Sequence, residues 1–539
     1  MKHYLTKLEE TVRNCWTQKA LCDYKGDSYT YADLAETIEK FKLFFENAGI
    51  AQGEKMAICA RNSAKWALTF WGINVNGHVT VPLLADFTPD GISTLVTHSD
   101  SLILFTDANI WKKLSIENMP AIKAVINVQD GKLLWAGDEK VANAWESRDV
   151  DFTAKYPKGL NRENISYPKH SDDTLAIINY TSGTTGNPKG VMLTYGAISD
   201  TDEFSNVHFP NHPGETIISM LPLAHMYGLG IEFIHPNIDG VTVYFLGKTP
   251  SPTTLLKAMQ EVRPYMVITV PLVMEKIYAS AVKPALEKMK VLTVIPGINT
   301  IIYRKICKKI CSAFGGNVRC FIMGGAALKP EVEKCFQKMK LPYMVGYGMT
   351  EACPLLGWEW WTDFVPGSCG KPVHDMRIIS EDPEHIAGEI QVRGANMTIG
   401  YYKNPEANAE AFTEDGWFRT GDLGLMDKNR NIFICGRRKS MILNSSGQNI
   451  YPEELEAVLS TCPNVSECLV VDRGGKIVAL VYPELPEGAD KEMIYDLPEH
   501  IRAIANKSLP SYSQIAKVVL MDSPFEKTPK MSIKRYLYR

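Results

Sequence analysis

At 539 residues the chain is longer than one ordinary hydrophobic core accommodates, so two or more domains are expected. Apolar residues make up 45% and charged residues 22%, a globular balance that excludes a disordered or fibrous chain. A formal net charge of −3 supplies no global field for gripping nucleic acid or an anionic membrane, so at most peripheral membrane association is expected.

Charges break up the first sixteen residues, so they lack the apolar stretch of a secretory signal. No run approaches the ~20 apolar residues of a spanning helix. The strongest candidate, Met266 to Met274, is interrupted by Pro271 and followed by Glu275 and Lys276. Twelve cysteines are scattered without a CxxC pair. Cys307 and Cys311 stand four apart in a Lys-rich helical pattern, but no second pair of ligands accompanies them. Reduced thiols in a cytoplasmic enzyme are therefore expected.

In chain order, an amphipathic pattern over Asp33 to Gly49 predicts a helix burying Leu34, Ile38, Phe41, Phe44 and Phe45. Short apolar runs near residues 55–60, 100–107, 174–182, 241–247, 265–271 and 319–325 predict buried strands. Strands alternating with amphipathic stretches give an α/β fold with parallel or mixed sheets. From Trp417 to Cys435 the pattern changes to short strands and tight turns. A polar loop, Asn444 to Gly447, and a helix start at Pro452-Glu453-Glu454 follow. This change places a boundary at 438–440, between a large unit at 1–437 and a small one at 441–539.

The segment Tyr180-Thr-Ser-Gly-Thr-Thr-Gly-Asn-Pro-Lys-Gly190 directly follows the strand-like run at Leu175 to Asn179. Gly183 and Gly186 let the backbone turn so that successive amides face one concavity. Thr181, Ser182, Thr184 and Thr185 add hydroxyl donors, and Lys189 a mobile cation. Such a loop suits a polyphosphate. It is not a Walker A loop, because the glycine-to-lysine spacing of that motif is absent.

The whole eleven-residue string resembles the signature loop of the adenylate-forming superfamily, which includes acyl-CoA synthetases, peptide-synthetase adenylation domains and beetle luciferases. Further segments resemble that family in the expected order, over nearly the whole chain from about Tyr29. Leu221-Pro-Leu-Ala-His225 is similar to the segment whose histidine borders the acyl carboxylate. Gly324-Gly325-Ala326-Ala327 and Gly346-Tyr347-Gly348-Met349-Thr350-Glu351 resemble the adenine and acyl walls. There the resemblance gives Tyr347 a stacking face, Thr350 a contact to the α-phosphate and Glu351 a hard oxygen for Mg²⁺. Trp417-Phe-Arg-Thr-Gly-Asp422 resembles the motif whose aspartate accepts from both ribose hydroxyls. Arg437 falls at the second ribose or phosphate contact, and Lys439 at the hinge. Val270 to Tyr278, and Asn444 to Pro452 with the acidic helix start behind it, resemble the long-chain branch.

The resemblance implies a large N-terminal adenylate-forming domain and a small, mobile α+β C-terminal domain that rotates about Lys439. It implies ATP, Mg²⁺ and coenzyme A, with a carboxylic acid, here a medium- or long-chain fatty acid, joined to coenzyme A through an acyl-adenylate. Two alternatives stand beside it. One is a ligase that loads an acyl, aryl or amino acid onto an acyl carrier protein. The other is a catalytically impaired nucleotide- or acyl-binding homologue.

The second alternative has one motivation. The family carries a lysine near its C-terminus that contacts the acyl carboxylate and α-phosphate, and by motif register Ser532 occupies that place. In an extended segment Lys530, Ser532 and Lys534 share a face, each lysine ~7 Å from the serine. Lys534 or Lys530 is therefore expected to substitute.

Overall fold

The computed structural model describes residues 2–181, 188–209, 211–247, 252–289, 297–443, 449–474, 476–485, 491–510, 513–527 and 533–538. Its largest sheet has eight strands. In order across the sheet they are Gly400–Tyr401, Lys189–Thr194, Leu175–Thr181, Val79–Pro82, Lys55–Cys59, Ser101–Thr106, Ala124–Asn127 and Leu133–Ala136. The middle strands run parallel and the outer ones antiparallel. The central strands are buried along their length, consistent with their unbroken apolar runs.

The helix Tyr31–Ala48 starts two residues before the predicted Asp33 because Thr30 caps it. The Thr30 amide donates to Asp33 Oδ2 at 2.7 Å, and the Asp33 amide to the Thr30 hydroxyl at 3.2 Å. It ends at Gly49, whose φ of 68° is the left-handed conformation that favours glycine. Its Phe41 and Phe44 pack edge-on against Trp145, while Phe41 also meets Phe105 of the sheet. Trp66, Phe70 and Trp71 of the helix Ala64–Val75 meet Phe233 in the same core.

Four smaller sheets complete the N-terminal domain's scaffold around the site, one of them the antiparallel trio Tyr347–Gly348, Leu355–Trp358 and Lys371–Pro372. A four-stranded sheet contains Thr216–Ser219 and Thr242–Phe245. The strands Met266–Thr269, Cys320–Met323 and Tyr343–Val345 form a parallel sheet. Asp375–Ile379, Gly388–Arg393, Phe418–Met426 and Ile432–Arg437 form an antiparallel one. All six apolar runs read as strands contain one in the structure.

The C-terminal part has hydrophobic cores of its own, centred on Leu455, Leu459, Ile501 and Val481 on one face and Leu469, Leu480 and Phe525 on the other. They flank the sheet Val465–Asp472, Ile477–Pro483 and Lys517–Leu520. The helix Pro452–Leu459 begins at the predicted Pro452 and lies against the strand Ile432–Arg437, where a Cβ on Gly436 would come within 2.6 Å of the Glu453 carboxylate. Among the described residues no helix is long and apolar enough to cross a membrane. All twelve cysteines are free thiols.

Candidate functional site

The strands Leu175–Thr181 and Lys189–Thr194 are antiparallel neighbours whose last pair is Thr181 with Lys189. The loop between them therefore closes a hairpin, whereas a Walker loop leads into a helix. Lys189 supplies a cation at this end of the strand pair. Ser182, Gly183, Thr184, Thr185 and Gly186 lie outside the described residues. Thr181 is half-buried at the strand end.

The Lys189 ammonium sits 4.7 Å from the centre of the Tyr401 ring. Tyr401 belongs to the edge strand Gly400–Tyr401, which pairs with Val191 and Met192 of the lysine's own strand. Its hydroxyl donates to Glu351 Oε1 at 2.9 Å. Burial and the Glu351 carboxylate push this phenol well above its usual range. Glu351 and Thr350 stand in a short 3₁₀ turn, 8% and 6% exposed. The Thr398 amide donates to the Glu351 carbonyl at 2.7 Å, and Asn396 Nδ2 to the carbonyls of Ala352 and Leu355. Among the described residues no donor occupies Glu351 Oε2, so that oxygen is available to a metal ion. A single carboxylate ligand suits Mg²⁺, which keeps waters and substrate phosphates in its remaining positions.

The next two predicted segments leave the ends of adjacent parallel strands. Gly324, Gly325 and Ala326 follow Cys320–Met323, while Gly346, Tyr347 and Gly348 follow Tyr343–Val345. Ligands of open α/β sheets bind at such carboxyl ends. Gly325 has φ 83°, and a Cβ on Gly348 would lie 2.2 Å from the Pro354 carbonyl oxygen, so no side chain fits there. Tyr227 packs against Gly324 and donates its hydroxyl to the Thr269 carbonyl at 3.2 Å, spanning the third strand of that sheet.

Asp422 is 5% exposed and stands opposite Arg437 in the antiparallel register. Its Oδ1 accepts from Arg437 Nε at 2.9 Å, and its Oδ2 from the Tyr347 hydroxyl at 2.7 Å. Asp422 is the leading cause holding the guanidinium above its ordinary range, while burial and Asp422 push the Tyr347 phenol well up. A carboxylate offers about four lone-pair sites, so each oxygen retains an acceptor position beyond these contacts. Tyr347, expected as a stacking face, is thus also the anchor of the predicted ribose acceptor.

His225 is half-buried at the end of the Leu221–His225 segment, and its carbonyl accepts from the Leu229 amide at 2.8 Å. That segment is fastened by residues the motif reading missed. Asn62 donates to the Leu221 carbonyl at 2.7 Å and accepts from the Leu223 amide at 3.0 Å. Asn179 donates to the Ala224 carbonyl at 3.1 Å.

Lys439 lies in the 3₁₀ turn Arg438–Ser440, immediately after the strand that carries Arg437. Near the C-terminus Lys527 pairs with Ile533 in an antiparallel bridge, and the chain turns into a 3₁₀ helix at Arg535–Leu537. An extended run therefore stops at Lys534. Lys534 Nζ lies 3.2 Å from Glu526 Oε2 in an exposed pair. Lys530 and Ser532 are outside the described residues. The structure thus gathers Lys189, Glu351 and Tyr401 into one network and Asp422, Arg437 and Tyr347 into another, while Lys534 pairs with Glu526.

The profile of the AMP-binding enzyme family matches residues 8–402, and that of the AMP-binding enzyme C-terminal domain matches residues 439–538. The chain belongs to the AMP-binding enzyme family. Membership supports AMP-forming ligation of a carboxylic acid as its general activity. A long-chain-fatty-acid–CoA ligase of Mycobacterium bovis is 28% identical, over 96% of this chain and 91% of that protein. A 4-coumarate–CoA ligase of Humulus lupulus is 27% identical, over 95% of this chain and 89% of its own length. In fold the chain is similar to ATP-bound MatB from Rhodopseudomonas palustris. That match has a TM-score of 0.79, 22% identity, and coverage of 100% of this chain and 98% of the other.

Proposed function

We propose that the protein activates a medium- or long-chain fatty acid as its acyl-adenylate and transfers the acyl group to coenzyme A. The observation that carries this reading is the buried Asp422 carboxylate, braced by Arg437 and Tyr347, near enough to the Glu351–Tyr401–Lys189 network for the Glu351 charge to act on Arg437. One carboxylate suits a ribose diol and the other a phosphate-bound cation.

In the first half-reaction a carboxylate oxygen attacks the α-phosphorus of ATP, and the bond to the bridging oxygen of pyrophosphate breaks. Loop residues 181–186 and Lys189 bind the β- and γ-phosphates. Asp422 accepts from the ribose hydroxyls, with Arg437 holding the carboxylate in place. Gly325, Ala326, Gly346 and Gly348 leave room for the adenine, while Thr350 donates to the α-phosphate. Glu351 would hold Mg²⁺, which when bound offsets phosphate charge. His225 borders the acid's carboxylate. In the second half-reaction the coenzyme A sulfur, losing its proton, attacks the acyl carbon and AMP leaves. No protein nucleophile is required. Rotation of unit 441–539 about hinge 438–440 exchanges the segment around Lys530 and Lys534 for the loop around Gly447 between the two steps.

Tyr401→Phe removes the phenolic donor from Glu351. A hydrogen bond to a charged group contributes about 1.5–3 kcal/mol, so adenylation kcat/KM for ATP is expected to fall about ten- to hundredfold. Pyrophosphate exchange at varied ATP measures this loss; wild-type values would remove Tyr401 from the site.

The chain-length assignment is tested by pyrophosphate release with straight-chain acids of increasing length and with 4-coumarate, each with and without coenzyme A. Medium or long acids should give the highest kcat/KM, and acyl-CoA should accumulate. Preference for the aromatic acid, or acylation of a carrier protein but not of coenzyme A, would overturn that assignment. Ser532 favours the second reading, a nucleotide-binding homologue. Under it ATP binds, but no acid stimulates pyrophosphate release.

A further inference from the structure

Glu232 is fully buried in the π-helical segment Gly228–Ile234, and no part of the scheme above uses it. Its Oε2 accepts three hydrogen bonds: from the Ser219 hydroxyl at 2.9 Å, the Met220 amide at 3.0 Å and the Leu221 amide at 2.9 Å. Those donors lie where the strand Thr216–Ser219 passes into the Leu221–His225 segment. Oε1 has no partner among the described residues. A buried carboxylate without a cation is costly unless hydrogen bonds or protonation offset the lost hydration. Here it fixes both amides at the start of the segment, while Asn62 and Asn179 fix the carbonyls and amide that follow.

We infer that Glu232 is a positioning residue for the acid substrate, setting the place of His225 through the amides of Met220 and Leu221. The inference rests on the reading of Leu221–His225 as the border of the acid's carboxylate. The surroundings define its electrostatics. Tyr227, at the start of the same helical run, feels the Glu232 charge and donates to the Thr269 carbonyl. The neighbouring strand presents Ser219. The helix Ala64–Val75 and the strand Thr242–Phe245 present Trp66, Phe70, Trp71 and Phe245 to the adjacent Phe233. His235, on the following turn, is paired with Asp202 at 3.4 Å. Burial raises the Glu232 carboxyl from 4.5 to about 8, against the three donors. At neutral pH it is therefore mostly protonated. Ionisation places an uncompensated negative charge behind the segment that receives a carboxylate.

The test is steady-state exchange kinetics of wild type, Glu232→Ala, Glu232→Gln and Ser219→Ala, with acid and ATP varied separately from pH 6 to 9. Glu232→Ala leaves two partly buried amides unsatisfied and should lower kcat/KM for the acid about ten- to hundredfold, with kcat/KM for ATP changed by less than about threefold. Glu232→Gln keeps a carbonyl acceptor and should stay within about threefold of wild type at neutral pH. The wild-type kcat/KM for the acid should fall as pH rises through about 8, and this inflection should be absent from Glu232→Gln. Ser219→Ala, which leaves both amides held, should show a smaller loss of the same kind. Equal losses for acid and ATP, or an inflection that persists in Glu232→Gln, overturn the inference.

Thermal melting gives a readout independent of activity. The folded carboxyl titrates above its unfolded value, so its contribution is full below 4.5 and is lost as pH rises through about 8. Melting of wild type should therefore decline relative to Glu232→Gln across that window, and parallel profiles contradict the buried titration. If wild type shows this decline but no acid-dependent exchange, the proposed function fails while the buried clasp stands.

Discussion

Replacing Asp422 with alanine is expected to lower acid-dependent ATP–pyrophosphate exchange by about 10²–10³, because the proposed ribose contact comprises two charge-assisted hydrogen bonds that would be lost at once. The residue is nearly inaccessible, and its two oxygens hold Arg437 and Tyr347. The alanine variant therefore also releases the guanidinium and the phenol from their fixed positions. Asp422→Asn separates these effects. Its amide keeps the shape and can still hold Arg437 through its oxygen and the Tyr347 hydroxyl through its NH2, but it has fewer acceptor sites left for a ribose diol, so an intermediate loss is expected. Melting profiles recorded beside the exchange assay distinguish a folded, inactive protein from an unfolded one. Folded Asp422→Ala that exchanges at the wild-type rate would remove Asp422 from the nucleotide site.

The second large effect concerns the position held by Ser532. The double variant Lys530→Ala/Lys534→Ala should slow exchange by about 10²–10³, the usual cost of removing one preorganised donor from a developing charge. Acyl transfer from preformed acyl-adenylate to coenzyme A should be affected less, since that step does not form the phosphoanhydride. The single variants identify which lysine acts. Lys534 is engaged by Glu526, but the pair is exposed at 30% and 66%, and such pairs contribute about 0–1 kcal/mol. Releasing Lys534 for the site is therefore cheap, and Glu526→Ala should not slow exchange. An unimpaired double variant would mean that adenylation here uses neither lysine.

The sequence made the scaffold of this site legible where chemistry is local. Thr181 and Lys189 flank a string whose hydroxyls and glycines suit a polyphosphate and whose full length carries the family resemblance, and the structure pairs the two residues across antiparallel strands. Gly348 is a glycine because a carbonyl occupies the space its side chain would need. Asp422 and Arg437 could be named from motif and spacing, and the antiparallel register explains that spacing. The residues missed act across long separations. Tyr401 reaches Glu351 from fifty residues away, and Asn62 fastens Leu221 from 159 away. Neither belongs to a local pattern, because the sheet order that joins them is a tertiary property. Glu232 was hidden for another reason. It interrupts the apolar run Gly228–Ile234, where its charge suggests an exposed helix face, yet three donors make its burial tolerable. The extended C-terminal face was expected over Lys530, Ser532 and Lys534; Lys530 and Ser532 lie outside the described residues, and after Lys534 the chain turns at Arg535.

The most direct test of acyl-adenylate formation follows an oxygen atom. The protein is incubated with Mg²⁺, ATP, coenzyme A and a long-chain fatty acid carrying heavy oxygen in its carboxyl group, and the products are analysed by phosphorus NMR and mass spectrometry. Attack of the carboxylate on the α-phosphorus predicts heavy oxygen in AMP, none in pyrophosphate, and acyl-CoA formed in equal amount. Label in inorganic phosphate with release of ADP, or acyl-CoA accompanied by unlabelled AMP, would contradict it.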